Sequence, residues 1–141
     1  MVLEMYRKMM VLLVSMLLFG AVCTGCGLEK ADSKKIRDLE YTVLEPEEVP
    51  DQLQEVIQEK KEGDFKVSYT YEGYLYIARG FGMQETGGYS IQMRQLYLTS
   101  NAVYFAADLI GPEKEERKQE VVSYPYIVIK TEAVDEHVVF E

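Results

Sequence analysis

Two cysteines, one histidine and a surplus of carboxylates are the residues of this chain that could carry chemistry. Cys23 and Cys26 stand three positions apart. That spacing serves a redox or metal pair when a folded frame surrounds it, normally a helix start after a strand. Here the pair follows an uncharged apolar run, Met9 to Val22, which itself follows Arg7 and Lys8. A positive segment, a short apolar segment and then small residues are the zones of an export signal. The apolar run is too short to cross a hydrocarbon core, which takes about 20 residues of helix. Small residues ahead of a cysteine are what a lipoprotein-processing peptidase accepts, and the cysteine thiol carries the diacylglyceryl group. Thr24 and Gly25 precede Cys26, whereas bulky Val22 precedes Cys23. The spacing therefore predicts cleavage before Cys26 and a fatty-acyl (palmitate-type) anchor on Cys26. Glu4 is out of place in a positive segment, so a start at Met5 gives a cleaner signal and the same mature chain.

The other reactive side chains form no such pattern. His137 is the single histidine, flanked by Glu136 and Val138, and reads as a surface residue. With Cys26 acylated and Cys23 removed, the folded part has no disulfide, and a zinc site would rest on carboxylates alone. Ser90 and Ser123 lack any motif that would expose and activate a nucleophile. The carboxylates are too numerous for a catalytic pair to be singled out. Gly80, Gly82, Gly87 and Gly88 lack the strand-to-helix setting of a phosphate loop. An enzyme, a metal site and a cofactor are not expected. The charge points the same way: 24 Asp and Glu against 15 Lys and Arg give −9. Loss of Arg7, Lys8 and Glu4 with the signal makes it −10. Nucleic acid, whose phosphates need Lys and Arg, is excluded as a partner, and so is electrostatic docking on anionic lipid.

The richest segment is Arg79 to Ile91, with Gly80, Gly82, Gly87 and Gly88 inside a strand-like region. It predicts a loop between two strands where the backbone needs positive φ or a close approach. Tyr89 is in phase with Ile91 and Met93 and should face inward. The candidate partner-binding loop is Glu85, Thr86, Gly87, Gly88 and Tyr89, with Glu85 and Thr86 at its tip. Ten tyrosines remain after the signal; tyrosine is an amphipathic anchor in interfaces, so an exposed cluster would mark a partner.

The elements that would position these residues follow from periodicity. The domain organisation predicted is a signal peptide over 1–25, a polar lipidated tether over 26–38 and one domain over 39–141. Leu39 to Leu44 alternates as a strand. Pro50 and Asp51 suit a helix start, and Leu53, Val56 and Ile57 form one apolar stripe on a helix near 50–62, which Gly63 ends. Beyond it the period is two: strands over 65–69, 74–79, 89–98, 103–109, 124–131 and 138–140, with turns at Glu72-Gly73 and Thr99-Ser100-Asn101. Leu96 and Leu98 fall out of phase with Ile91 and Met93, which predicts a bulge near Arg94. Gly111 to Glu120 reads as a solvated charged loop. The fold class predicted is mainly β (α+β), an antiparallel sheet or sandwich-like domain with one covering helix. Its core should include Leu53, Val56, Ile57, Ile77, Ile91, Phe105, Ile127 and Ile129.

Two strings of residues carry a family resemblance. Thr86-Gly87-Gly88-Tyr89-Ser90-Ile91 and Tyr124-Pro125-Tyr126-Ile127-Val128-Ile129-Lys130, with the strand, turn, strand and charged loop between them, resemble the C-terminal domain of PrcB. The resemblance covers roughly Tyr74 to Thr131. It implies an exported or lipid-anchored, non-catalytic accessory subunit that binds a surface protease or another envelope protein. With Cys26 as anchor, the expected location is the extracytoplasmic face of the cell membrane. The Thr86–Tyr89 stretch is also similar to a loop of chagasin-like inhibitors of cysteine proteases, which are β-sandwiches. That likeness implies the alternative, an inhibitor inserting this loop as a wedge.

Overall fold

Alternation puts every second side chain of a strand on one face, and this chain uses it to build two four-stranded sheets. The strands are β1 (Arg37–Asp38), β2 (Tyr41–Val43), β3 (Asp64–Tyr71), β4 (Tyr74–Phe81), β5 (Ser90–Leu98), β6 (Ala102–Ile110), β7 (Tyr126–Glu132) and β8 (His137–Phe140). One sheet has the order β1-β5-β6-β8 and the other β2-β7-β4-β3. The pairs are antiparallel except β6 with β8. The computed structural model describes residues 2–7, 31–114 and 121–141, of which 2–7 are helical. Cys23 and Cys26 lie outside the described residues, and with them the proposed cleavage and lipidation.

The two sheets share one core. Leu75 and Ile77 of β4, Ile127 and Ile129 of β7, Leu96 of β5 and Val103, Phe105 and Ala107 of β6 pack together with Leu39. The alternate positions Tyr76, Ala78 and Val128 face the other way. They meet Val49, Phe65 and the apolar stripe of the helix α1 (Asp51–Lys60). The central strands of this sheet are thus covered on both faces, which is why Leu75 to Ala78 is a continuous buried run rather than an alternation. Each fully buried aliphatic side chain contributes about 1.5–3 kcal/mol of hydrophobic stabilisation.

Helix α1 lies within the span predicted for it. Asp51 stands in its first turn, and the Lys61 amide donates to the Ile57 carbonyl at its end. Its stripe is centred on Leu53 and Ile57, one turn apart and fully buried. Val56 lies on the flank and is half-buried, not a core residue. Ile91 is likewise partly buried, packed against the core from β5. The bulge is where phase required it: the β5–β6 register shifts between Met93 and Gln95. One extra residue there lets Ile91 and Met93 before it and Leu98 after it pack against the same core.

The start of the domain differs from expectation in one respect. Residues 31–38, expected as the distal part of the tether, run along β5. The Ile36 amide donates to the Leu98 carbonyl (2.8 Å). Asp32 accepts from Ser100 Oγ (2.9 Å), and its own amide donates to Asn101 Oδ1 (2.7 Å). The Lys34 amide and the Ser100 hydroxyl hold the Asp32 carboxyl below its ordinary pKa. The expected strand over 39–44 is divided, because the chain changes sheet there: β1 pairs in one sheet, β2 in the other, and Leu39 is buried between them.

Candidate functional site

Two connections cross between the sheets at the same end of the sandwich. One leaves β4 at Phe81 and enters β5 at Ser90; the other leaves β6 at Ile110 and enters β7 at Tyr126. Both carry backbone polar groups that no ladder satisfies, so these must pair with each other or with water. They pair with each other. The Gln84 amide donates to the Ser123 carbonyl (2.8 Å) and the Ser123 amide to the Gln84 carbonyl (3.0 Å). Ser123 Oγ donates to the Thr86 carbonyl (2.7 Å). The Phe81 amide reaches the Pro125 carbonyl (3.1 Å). On the other flank the Met83 amide donates to the Glu62 carbonyl (3.1 Å), which ties the loop to the turn after α1.

Cations close the same end against the ring faces. The Arg79 guanidinium lies 4.1 Å from the centre of the Phe81 ring. It is also held by Asp64 (2.9 Å) and the Gly80 carbonyl. Lys61 Nζ stands 5.3 Å above Tyr124. The rings attract the charges through their quadrupoles, and Arg79 is largely withdrawn from solvent by the arrangement.

The residues singled out from sequence divide on this frame. Glu85 is exposed at the tip. Thr86 is half-buried, with its carbonyl taken by Ser123. Gly87 has open space around it, while Gly88 has φ +82°, so it is Gly88 that the turn requires. Tyr89 precedes β5 and is half-buried; it lies close to Gly111, and the core closes without it. Its inward phase with Ile91 ends one residue short, at the turn. His137 is exposed, opposite Ala102 at the start of β8, and Ser90 is exposed at the start of β5. Among the described residues no three His, Cys, Asp or Glu side chains could together hold a metal ion.

Sequence reasoning missed two features of this end. Ser123 is the clamp between the two crossings. Met83 on one crossing and Ile110, Val121 and Val122 along the other are exposed, Met83 by 56 % and Val121 by 67 %. The signal was present in Val121-Val122, an apolar pair between a charged run and a strand, but nothing local says that it lies beside the other crossing.

Residues 75–132 match the family model described as PrcB C-terminal. Over these residues the chain is similar to a PrcB C-terminal domain. The match runs from β4 to the end of β7, two strands from each sheet, and contains both crossings. Helix α1, β3 and β8 lie outside the PrcB match and complete the two layers around it. No curated protein and no solved structure matches the chain.

Proposed function

We propose that this chain is a lipid-anchored, non-catalytic binding subunit of an extracytoplasmic protease complex, acting on the outer face of the membrane. The observation that carries this reading is the PrcB C-terminal match over residues 75–132. It covers the crossing end of the sandwich, where the carboxylate of Glu85 and the apolar Met83, Ile110, Val121 and Val122 are all exposed. An apolar centre with a polar rim is the usual anatomy of a protein interface. The chain enters the domain at the opposite end of β5, where Ser100 and Asn101 hold Asp32. A chain segment running from a lipid on Cys26 therefore joins the domain at its hairpin end.

The inhibitor reading gains less support. A wedge needs a projecting loop, but Thr86 is tied down by Ser123 and Tyr89 is half-buried beside Gly111. The test is purification of the tagged full chain from detergent-solubilised membranes. A protease should co-purify with it and keep its activity when the lipoprotein is present in excess. Absence of any protease, or inhibition of a papain-like protease by the isolated chain, contradicts the reading.

A further inference from the structure

Helix α1 covers only part of the outer face of its sheet. Towards the Glu72-Gly73 turn, Tyr69 faces Tyr76 and Tyr71 faces Tyr74 across β3 and β4. Tyr71 and Tyr74 stay 43 % and 45 % exposed. Tyr69 and Tyr71 are stacked, with 5.9 Å between ring centres and 18° between planes. The Tyr69 hydroxyl is fixed by Gln52 Oε1 at the start of α1 (2.5 Å). Between that start and the stacked pair lies a cleft of about 380 Å³, lined by Val49, Pro50, Asp51, Gln52, Tyr69 and Tyr71. Asp51, the charged residue of its lining, forms no ion pair among the described residues. The Glu72 carboxylate stands beside Tyr71 and raises the pKa of its hydroxyl.

The chain itself demonstrates what such rings hold. Lys130 Nζ lies 3.9 Å from the centre of the Tyr74 ring and 5.9 Å from that of Tyr76. The Tyr69–Tyr71 side of the patch has the same ring chemistry, with carboxylates in place of a resident cation, in a chain of net charge −9. We propose that this cleft docks an arginine- or lysine-bearing extended segment of a partner protein, its cation laid over Tyr71 and paired with Asp51. Arginine fits better than lysine, because a planar guanidinium stacks on a ring and meets a carboxylate through two parallel hydrogen bonds. An extended segment also finds backbone partners here, since β3 is the free edge of its sheet and an unpaired edge can accept a further strand. The cleft is separate from the crossing end, at the other end of β4, so either surface can fail its test without the other.

Fluorescence anisotropy of labelled short peptides on the full chain in neutral detergent tests the proposal. Peptides alternating serine with arginine, lysine or glutamate are compared. The arginine peptide should bind most tightly and the glutamate peptide not at all. Tyr71→Ala and Asp51→Asn should each weaken the arginine peptide by about fivefold or more, the factor equivalent to one exposed cation–π or ion-pair contact. Tyr71→Phe, which keeps the ring, should bind as the wild type does. Glu113→Gln removes the same charge at the crossing end and should change affinity by less than about twofold, the size of a screened distant charge. An equal loss from Glu113→Gln and Asp51→Asn would show net charge alone at work and overturn the proposal. So would a Tyr71→Ala protein that binds the arginine peptide normally.

Discussion

Gly80 and Phe65 face each other across β3 and β4. A Cβ at Gly80 would stand 2.0 Å from Phe65 Cε1, so the ring occupies the space a side chain would need. Gly80→Ala should therefore destabilise the domain by about 2–4 kcal/mol, through overpacking and displacement of a buried ring. A double-mutant cycle with Phe65→Ala, followed by urea unfolding, checks the mechanism: the two losses should be strongly non-additive. In the loop, Gly88→Ala should cost about 1–2 kcal/mol for its left-handed backbone, while Gly87→Ala should stay within about 0.5 kcal/mol. The pair Gly87-Gly88 announced a turn in the sequence, but the sequence does not say that it is Gly88 that takes positive φ. Gly80 was less legible still. Its partner is fifteen residues away, and only the β3–β4 register brings the ring over it.

At the scale of elements, period-two and period-3.6 patterns were enough to place the six strands from β3 to β8 and helix α1, because each buries one face or two. Even the bulge at Arg94 could be read, since a strand that changes phase keeps its buried face by inserting one residue. The segment 31–38 could not. It is polar and mixed in charge, and its order comes from β5 and the Ser100-Asn101 turn, remote in sequence. This contact carries a pH dependence with a definite sign. The folded-state pKa of Asp32 lies below its ordinary value of 3.8. Its contribution to stability is therefore present in full above that value and lost as pH falls through the folded pKa. Asp32→Asn should lower stability at neutral pH and flatten the acid limb of the stability curve below pH 3.8, as thermal melts across a pH series would show. The Ser123 clamp gives a local prediction. Ser123→Ala should cost about 0.5–1.5 kcal/mol for one lost hydrogen bond, and amide exchange should speed up around residues 84–88 while the strands stay protected.

For the whole molecule, the chain from the proposed anchor joins the domain at its hairpin end, and the proposed binding surface is the crossing end. If Cys26 carries the lipid, Cys26→Ser should leave an uncut precursor or release soluble protein, and Cys23→Ser should change neither processing nor lipid labelling. Metabolic labelling with a fatty acid, read on a gel, separates the two. What the sequence could say of function rested on the signal and on two strings, Thr86–Ile91 and Tyr124–Lys130, that fold into the crossing end and the strand beside it. It could not say which side chains remain exposed there, because the two crossings are brought side by side only through the pairing of Gln84 with Ser123. The most direct test of the binding-subunit account places a photo-crosslinking amino acid at Glu85 in the full chain in its own membrane, with the same probe at exposed His137 on β8 as control. The account predicts that irradiation joins position 85, and not position 137, to an envelope protease; adducts that lack a protease, or that form equally at both positions, would contradict it.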